Sequence, residues 1–183
     1  MKGVIFTELV SMVEHQLGDE VMDDVFDKCP LHSDGAYTSV GTYDHTELLK
    51  IVTTLSEDQN IPVPDLVKAF GKHLFEGFTK NTPEFFVEPK NCFEFLESID
   101  GHIHAEVRKL YPDAELPVFD TDYPNDQTMI LTYSSKRPFS DLALGMIGAC
   151  IDYYQEKIDV EFADKNTSDL YVRIFTLTRK DNG

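Results

Sequence analysis

Two histidines lie in the stretch 99–112, IDGHIHAEVRKLYP, whose pattern is typical of a helix. Pro112 ends this helix at Tyr111, because the residue before a proline avoids the helical conformation. With about 3.6 residues per turn, His104 shares a face with Tyr111, whereas His102 lies among polar residues. His104 therefore points inward, where its ring needs a partner. A hydrogen bond to a backbone carbonyl is the common case, and a functional role is the alternative.

A second group of candidate residues follows about thirty positions later, at Tyr133, Ser135 and Arg137. In an extended chain this alternate spacing places all three side chains on one face. Two hydroxyls and a guanidinium facing the same way can bind carboxylates, and arginine can do so through two parallel hydrogen bonds. Taken alone, the same residues also fit a solvated strand face.

Size and composition limit the kind of protein that positions these residues. The 183 residues are 42% hydrophobic, which predicts one globular domain with a substantial core. The formal charge of −17 argues against nucleic acid and anionic membranes, although it suits a partner with a basic patch as well as simple solubility. No apolar run is long enough to span a bilayer, and the N-terminus turns acidic too early for a signal peptide. We therefore expect a cytoplasmic protein.

The three cysteines, Cys29, Cys92 and Cys150, lack CxxC or CxxH spacing. Their odd number and wide separation fit neither a disulfide framework nor a closed zinc site. We expect three reduced, mostly buried thiols and no structural zinc.

Apolar periodicity predicts helices in the first two thirds of the chain and strands mainly after Pro112. The predicted helices cover about 2–17, 19–28, 44–55 (capped by Asp44), 91–96 (capped by Asn91), 99–111 and 140–154 (capped by Ser140). A further helix follows the rigid segment 61–65 and runs to about residue 80. The predicted strands are 116–122, 128–133, 158–163 and 170–178, and loops cover 32–43 and 81–90. Helices first and an antiparallel sheet later indicate the α+β class.

Over essentially its whole length the chain resembles the heme-nitric oxide/oxygen binding (H-NOX) family. The resemblance is carried by Lys2-Gly3-Val4-Ile5, Phe70-Gly71-Lys72, the His-x-x-Val-x-x-x-Tyr-Pro run from His104 to Pro112, Pro117, Tyr133-x-Ser135-x-Arg137 and Asp141-Leu142-x-x-Gly145. The combination of His104 with the downstream Tyr-x-Ser-x-Arg motif is its most specific part. This family implies a single domain, with an N-terminal helical subdomain at about 1–60 and a heme-bearing subdomain at about 61–183, the heme being buried between them.

The resemblance also implies a cofactor and its binding residues. The cofactor is heme b, protoporphyrin IX iron, with His104 as the axial iron ligand. Tyr133, Ser135 and Arg137 would hold the propionates, and Pro117 would press on the porphyrin. The remaining expected lining is apolar and consists of Ile5, Phe78, Leu142 and Met146. His73 and His102 are expected to lie outside the site.

Ligand selectivity follows from the position of Leu142, where oxygen-binding members of the family carry a tyrosine. Bound O2 needs a hydrogen-bond donor, and Leu142, Ile5 and Phe78 offer none. The expected gaseous ligands are therefore NO and also CO, with O2 excluded. NO would release His104, and the resulting shift would regulate a separate protein. Stand-alone bacterial members act on a sensor histidine kinase or on a cyclic-di-GMP enzyme, a diguanylate cyclase or phosphodiesterase.

Other functions remain open from the sequence. A peroxidase-like heme enzyme would need a polar distal pair, which the apolar lining does not supply. A heme-free interaction module would leave Tyr133, Ser135 and Arg137 solvated. An O2-binding heme protein would require a donor that lines the pocket from elsewhere. We expect a gas sensor without enzymatic activity.

Overall fold

A computed structural model describes residues 1–180 of the chain as helices and one four-stranded sheet. The helices are α1 (Gly3–Leu17), α2 (Asp19–Lys28), α3 (His45–Gln59), α4 (Val63–Asn81), α5 (Cys92–Ser98), α6 (His104–Leu110) and α7 (Ser140–Tyr153). The strands are β1 (Val118–Asn125), β2 (Thr128–Ser135), β3 (Ile158–Asp164) and β4 (Tyr171–Arg179). A 3₁₀ helix, Pro83–Phe86, follows α4, and a π-helical turn, Ile99–Ile103, precedes α6. The predicted α+β class is confirmed.

The sheet is antiparallel throughout, with the strand order β1-β2-β4-β3. Side chains alternate between its two faces, so Met129 and Leu131 of β2 are buried beside Leu177 and Phe175 of β4, their partners in register. The same register places Tyr133 opposite Arg173, also on the buried face.

Helix boundaries follow local capping chemistry, with two corrections to the predictions. Asp44 and Asn91 cap α3 and α5 as predicted, since each side chain accepts a hydrogen bond from a backbone N–H of the first turn. However, α3 continues past residue 55 to Gln59, where Asn60 ends it in a left-handed conformation with φ 53°. Ser140 does not cap α7: it is the first helical residue, and Phe139 precedes it without a side-chain cap.

The predicted continuous helix over 99–111 is also wrong. The π-helical turn Ile99–Ile103 joins α5 to α6, and regular α-helix begins only at His104. A π-turn holds more residues than an α-turn, and such turns are frequent at functional sites. Helix α6 still ends before Pro112, as expected.

Buried apolar side chains form two clusters. The helical core draws on α1 to α4 and consists of Phe6, Leu9, Met12, Val13, Met22, Val25, Cys29, Leu31, Leu48, Ile51, Val52, Leu55, Leu66, Val67, Phe70, Leu74 and Phe139. The sheet core joins β2, β4, α5 and α7 and consists of Phe75, Cys92, Phe93, Phe95, Leu96, Met129, Leu131, Tyr133, Ala143, Ile147, Ala149, Cys150, Ile151, Phe175 and Leu177. Helix α4 contributes to both cores.

Two glycines let α4 and α7 cross in direct backbone contact. A Cβ added at Gly71 would lie 2.2 Å from the Leu142 carbonyl oxygen, and one at Gly145 would lie 2.0 Å from that of Lys68. Only a residue without a Cβ fits such an approach. The crossing therefore fixes α7, which carries Leu142, against α4, which carries Phe78.

The three cysteine thiols are buried and form no disulfide, as the sequence predicted. Across residues 1–180, no helix has both the length and the apolar composition that a membrane span requires.

Candidate functional site

His104 is the first residue of α6, immediately after the π-turn. Its side chain is 12% exposed, whereas the neighbouring His102 is exposed and its ring lies against Phe85. The structure thus places the two histidines on opposite sides, as the helical period predicted. No residue of α6 is buried, although its first four residues are partly covered. The helix therefore presents a half-covered surface around the His104 ring.

Asp100 fixes the orientation and tautomer of that ring. Nδ1 of His104 lies 3.0 Å from Oδ1 of Asp100, one turn earlier. Because a carboxylate accepts, Nδ1 carries the hydrogen and Nε2 keeps its lone pair. Burial lowers the pKa of His104, outweighing the opposite effect of Asp100. The group is thus a neutral imidazole whose Nε2 can bind a metal, with the carboxylate partner that metal-binding histidines commonly have.

Aromatic rings connect His104 to the second group of candidate residues. The Phe119 ring of β1 lies 5.9 Å from the His104 ring and 5.6 Å from the Tyr133 ring, measured between centroids. Phe119 was not predicted as a site residue. Its position in β1, opposite Tyr133 in register, places it between the two groups.

Tyr133, Ser135 and Arg137 converge at the end of β2. The Tyr133 hydroxyl donates to the Arg137 carbonyl oxygen at 3.4 Å, and the Arg137 N–H donates to the Ser135 hydroxyl at 3.0 Å. Burial raises the pKa of Tyr133, so its hydroxyl remains a donor. The prediction that all three follow strand alternation needs correction, because β2 ends at Ser135 and Arg137 lies in the following bend.

The guanidinium of Arg137 already binds a carboxylate. Its Nη2 lies 2.5 Å from Oε2 of Glu115, and its Nη1 donates to the Glu115 carbonyl oxygen at 3.0 Å. The Arg137 side chain is 16% exposed and that of Glu115 is 67% exposed. An exposed carboxylate therefore stands where another carboxylate could bind.

The expected apolar lining lies at the border between the two cores. Ile5, Phe78 and Leu142 pack against the helical core, and Met146 packs against the sheet core. All four are only partly buried, as is Pro117 just before β1. Their partial exposure leaves apolar surface for a flat, apolar group to cover.

Heme fits the chemistry of these residues. A neutral imidazole with a free Nε2, apolar side chains and a carboxylate-binding guanidinium match its iron, its ring and its propionates respectively. The partly exposed face of α6 is also consistent with heme, because a bound porphyrin ring would cover that face. The residues predicted from sequence are thus compatible with the predicted cofactor.

Arg173 belongs to this region and was missed by the sequence reasoning. It is 6% exposed, lies opposite Tyr133 in the sheet, and binds Asp164 at 2.6 Å and Asp141 at 2.5 Å. Since Asp141 directly precedes Leu142, this buried cation ties the start of α7 to the sheet. Strand alternation could have revealed it, because Arg173 has the same parity in β4 as the buried Phe175.

His73 lies outside the candidate site, as expected. Its Nε2 is 3.0 Å from Oε2 of Glu8, so it links α4 to α1 at a partly exposed position. A paired surface histidine of this kind needs no ligand to explain it.

Comparison with known proteins gives a family match. The family model described as Haem-NO-binding matches residues 2–162. The chain is also similar to solved structures over nearly its full length. One is the unliganded Fe(II) H-NOX protein from K. algicida, 32% identical with a TM-score of 0.92, covering 100% of this chain and 98% of that chain.

Two further structures show relatives with bound gases. The H-NOX from Shewanella woodyi, in an Fe(II)CO state with IWP-051 bound, is 42% identical with a TM-score of 0.82, covering 100% of this chain and 96% of that chain. An H-NOX from S. oneidensis in the Fe(II)NO state is 29% identical with a TM-score of 0.84, covering 98% of this chain and 100% of that chain.

Proposed function

Because the chain belongs to the heme-NO-binding (H-NOX) family, a family of heme-based gas sensors, we propose that it is an NO sensor that excludes O2. The observation that carries the proposal is the largely buried imidazole of His104, bonded to Asp100 through Nδ1 and lying beside the Phe119 ring. Heme b, when bound, would supply a ferrous iron able to bind both an imidazole and a diatomic gas.

In this proposal His104 binds the iron through Nε2, and Asp100 keeps the imidazole in the required tautomer. Tyr133, Ser135 and Arg137 bind the propionates. Arg137 exchanges the exposed Glu115 carboxylate for a propionate or shares its five N–H donors between them. Pro117 supports the porphyrin from the segment that leads into β1.

Selectivity comes from the side chains on the gas-binding face. Ile5, Phe78, Leu142 and Met146 offer carbon and thioether surface without a hydrogen-bond donor. Bound O2 carries partial negative charge and is stabilised by a donor, whereas NO binds ferrous heme strongly without one. A hydrogen bond to a charged group contributes about 1.5–3 kcal/mol, or roughly ten- to a hundredfold in affinity. The absence of a donor from these four side chains therefore disfavours O2.

We further propose that NO causes His104 to leave the iron, which frees α6 to shift. Helix α6 suits this role because none of its residues is buried. The shift would regulate a separate signalling protein, a histidine kinase or a cyclic-di-GMP enzyme. A ligand can shift such an equilibrium only through its different affinities for the two states.

The absorption spectrum of the reduced, heme-loaded protein tests the proposal. We expect a five-coordinate ferrous spectrum that is unchanged by air and that NO converts to another five-coordinate spectrum. A stable change in air would contradict O2 exclusion, and a six-coordinate spectrum with NO would contradict the release of His104. Protein that stays colourless after heme supplementation would favour a heme-free interaction module.

A matched pair of substitutions at residue 142 tests whether the lack of a hydrogen-bond donor at this position excludes O2. Leu142→Tyr supplies a hydroxyl, and Leu142→Phe supplies a similar ring without one. We expect the tyrosine variant to gain O2 affinity by roughly ten- to a hundredfold and the phenylalanine variant to gain none. Titration of the reduced proteins with O2 measures both. Equal affinities in the two variants would show that residue 142 does not face the bound gas.

A further inference from the structure

The first three residues are fixed to the segment 38–43 by hydrogen bonds between main-chain groups. The Met1 ammonium donates to the Tyr43 carbonyl oxygen at 2.7 Å, the Tyr43 N–H donates back to Met1 at 2.9 Å, and the Gly3 N–H donates to Gly41 at 2.8 Å. A Cβ at Gly3 would lie 1.8 Å from the Thr38 carbonyl oxygen, so only glycine allows this approach. The start of the chain therefore moves with the segment 38–43.

The side chain of Lys2 leaves this fixed segment and reaches the residues that follow α6. Its Nζ lies 3.1 Å from Oδ1 of Asp113, 2.9 Å from Oγ1 of Thr42 and 4.8 Å from the centre of the Tyr111 ring. Lys2 is 16% exposed in its side chain, although Asp113 is 64% exposed. The ammonium is thus sheltered between the segment 38–43 and the end of the His104 helix.

Tyr111 moves with the last turn of α6, because its N–H donates to the Val107 carbonyl oxygen at 2.8 Å. An ion pair with an exposed carboxylate contributes little to stability on its own. A cation against an aromatic face adds directional attraction. These contacts are therefore better suited to linking two segments in a fixed geometry than to holding the fold together.

We infer that Lys2 is a positioning residue that transmits a displacement of α6 to the helical core, through Tyr111 and Asp113. This inference rests on the proposed release of His104 from the heme iron. Ile5 and Leu142, which are proposed to line the gas-binding face, pack against the helical core. Lys2 thus connects α6, which carries the proposed iron ligand, to the helical core beside the proposed gas-binding face.

Hydrogen–deuterium exchange of the full, heme-loaded protein, with and without NO, tests the inference. Lys2→Met removes the charge and keeps most of the alkyl stem, whereas Lys2→Arg keeps both the charge and the stacking. Lys28→Met is the matched control, because Lys28 makes an ion pair with Asp58 at 2.6 Å on the helical side of the molecule. We expect NO to change exchange in both α6 and the segment 38–43 of the wild type, of Lys2→Arg and of Lys28→Met.

In Lys2→Met, we expect the response of α6 to remain and the response of 38–43 to be lost. A response of 38–43 that survives in Lys2→Met would overturn the inference. An effect of Lys2→Met on the exchange of 38–43 that is equal with and without NO would also overturn the inference, because a purely structural role would produce that result. If α6 of the wild type does not respond to NO, the release of His104 is wrong and the inference falls with it.

Discussion

The two cores contribute opposite chemistry to the candidate site. The helical core supports apolar side chains at the border, including Ile5 and Leu142, and the sheet core supports polar groups, with Tyr133 in its interior and His104 beside Phe119. In the proposed function, heme anchoring and gas selectivity would therefore depend on different parts of the chain. A change on the sheet side should alter whether heme is held, and a change on the helical side should alter which gas is accepted.

The cores also differ in how completely the chain itself covers them. In the helical core, the buried carboxylate of Glu47 is satisfied by three donors of the preceding loop. On the sheet side, α6 has no buried residue, and at the border between the two cores Ile5, Phe78, Leu142 and Met146 are only partly buried. The polar network of Glu47 is thus complete within the polypeptide, whereas α6 and the border between the cores present surface that a cofactor could cover.

The largest effect is expected from His104→Gly, which removes the proposed iron ligand. We expect heme affinity to fall by at least about tenfold, the lower bound for losing even a supporting partner of a metal ligand. Free imidazole should restore heme binding. It cannot restore the link between iron and α6, so exchange in α6 should match that of the NO-treated wild type. Heme content after gel filtration and hydrogen–deuterium exchange measure the two effects.

His102→Gly is the control, because His102 is two residues away on the exposed side. It should keep its heme without imidazole. Heme retention by His104→Gly, or equal loss from both variants, would contradict the assignment of His104 as the ligand. Slowly exchanging amides of the helical core should be unchanged in both variants.

The helix crossing that joins the two cores gives a smaller effect. Gly145→Ala places a methyl group 2.0 Å from the Lys68 carbonyl oxygen, so α4 and α7 must separate. We expect a loss of about 1–3 kcal/mol in the free energy of unfolding, as for other overpacked sites. Gly148→Ala, one turn later in α7, meets no atom within 4 Å and should stabilise the protein by about 0.5–1 kcal/mol.

Urea unfolding followed by far-ultraviolet circular dichroism measures both glycine variants. Opposite signs would establish that the crossing, not helix propensity, determines the residue at 145. The same loss from both variants would contradict the close approach. Because the crossing positions Leu142, Gly145→Ala should also change the CO-bound absorption spectrum, and Gly148→Ala should not.

The elements and the inward histidine could be predicted from sequence because they depend on local periodicity. His104 and Tyr111 keep their helical phase, since the π-turn lies upstream of both. The partner of His104 could also have been predicted, because Asp100 stands four residues earlier, the spacing of one helical turn. The π-turn itself was not predicted, because an extra residue in one turn leaves no clear trace in apolar periodicity.

Contacts between distant segments could not be predicted in the same way. Glu115 and Arg137 meet across 22 residues, and Lys2 and Asp113 meet across 111. Charges of opposite sign are abundant in the chain, so sequence alone does not select these pairs. Glu47 is the clearest case. It stands three residues after Asp44, a spacing that favours a bond back to the helix cap, yet its carboxylate turns inward to a loop.

That buried carboxylate yields a predicted effect that is confined to the helical core. Glu47 accepts from the Ser33 hydroxyl at 2.6 Å, the Tyr37 hydroxyl at 2.7 Å and the His32 N–H at 3.1 Å. Glu47→Gln replaces one acceptor oxygen with a donor and removes the charge. We expect a loss of about 1–3 kcal/mol in the free energy of unfolding at pH 7, with an unchanged heme spectrum. A shifted heme spectrum would contradict the independence of the two cores.

The pH dependence of that loss tests the cause. Burial alone would raise the pKa of Glu47, but the hydrogen bonds from Ser33, Tyr37 and His32 outweigh it and lower the pKa. A carboxyl whose pKa is lowered by folding stabilises the protein above its unfolded pKa of about 4.3, and this contribution disappears as the pH falls through the folded value. The difference between wild type and Glu47→Gln should therefore stay constant from neutral pH to about one unit above that pKa and then shrink. A difference that grows on acidification would mean that folding raises the pKa of Glu47, and that burial dominates its hydrogen bonds.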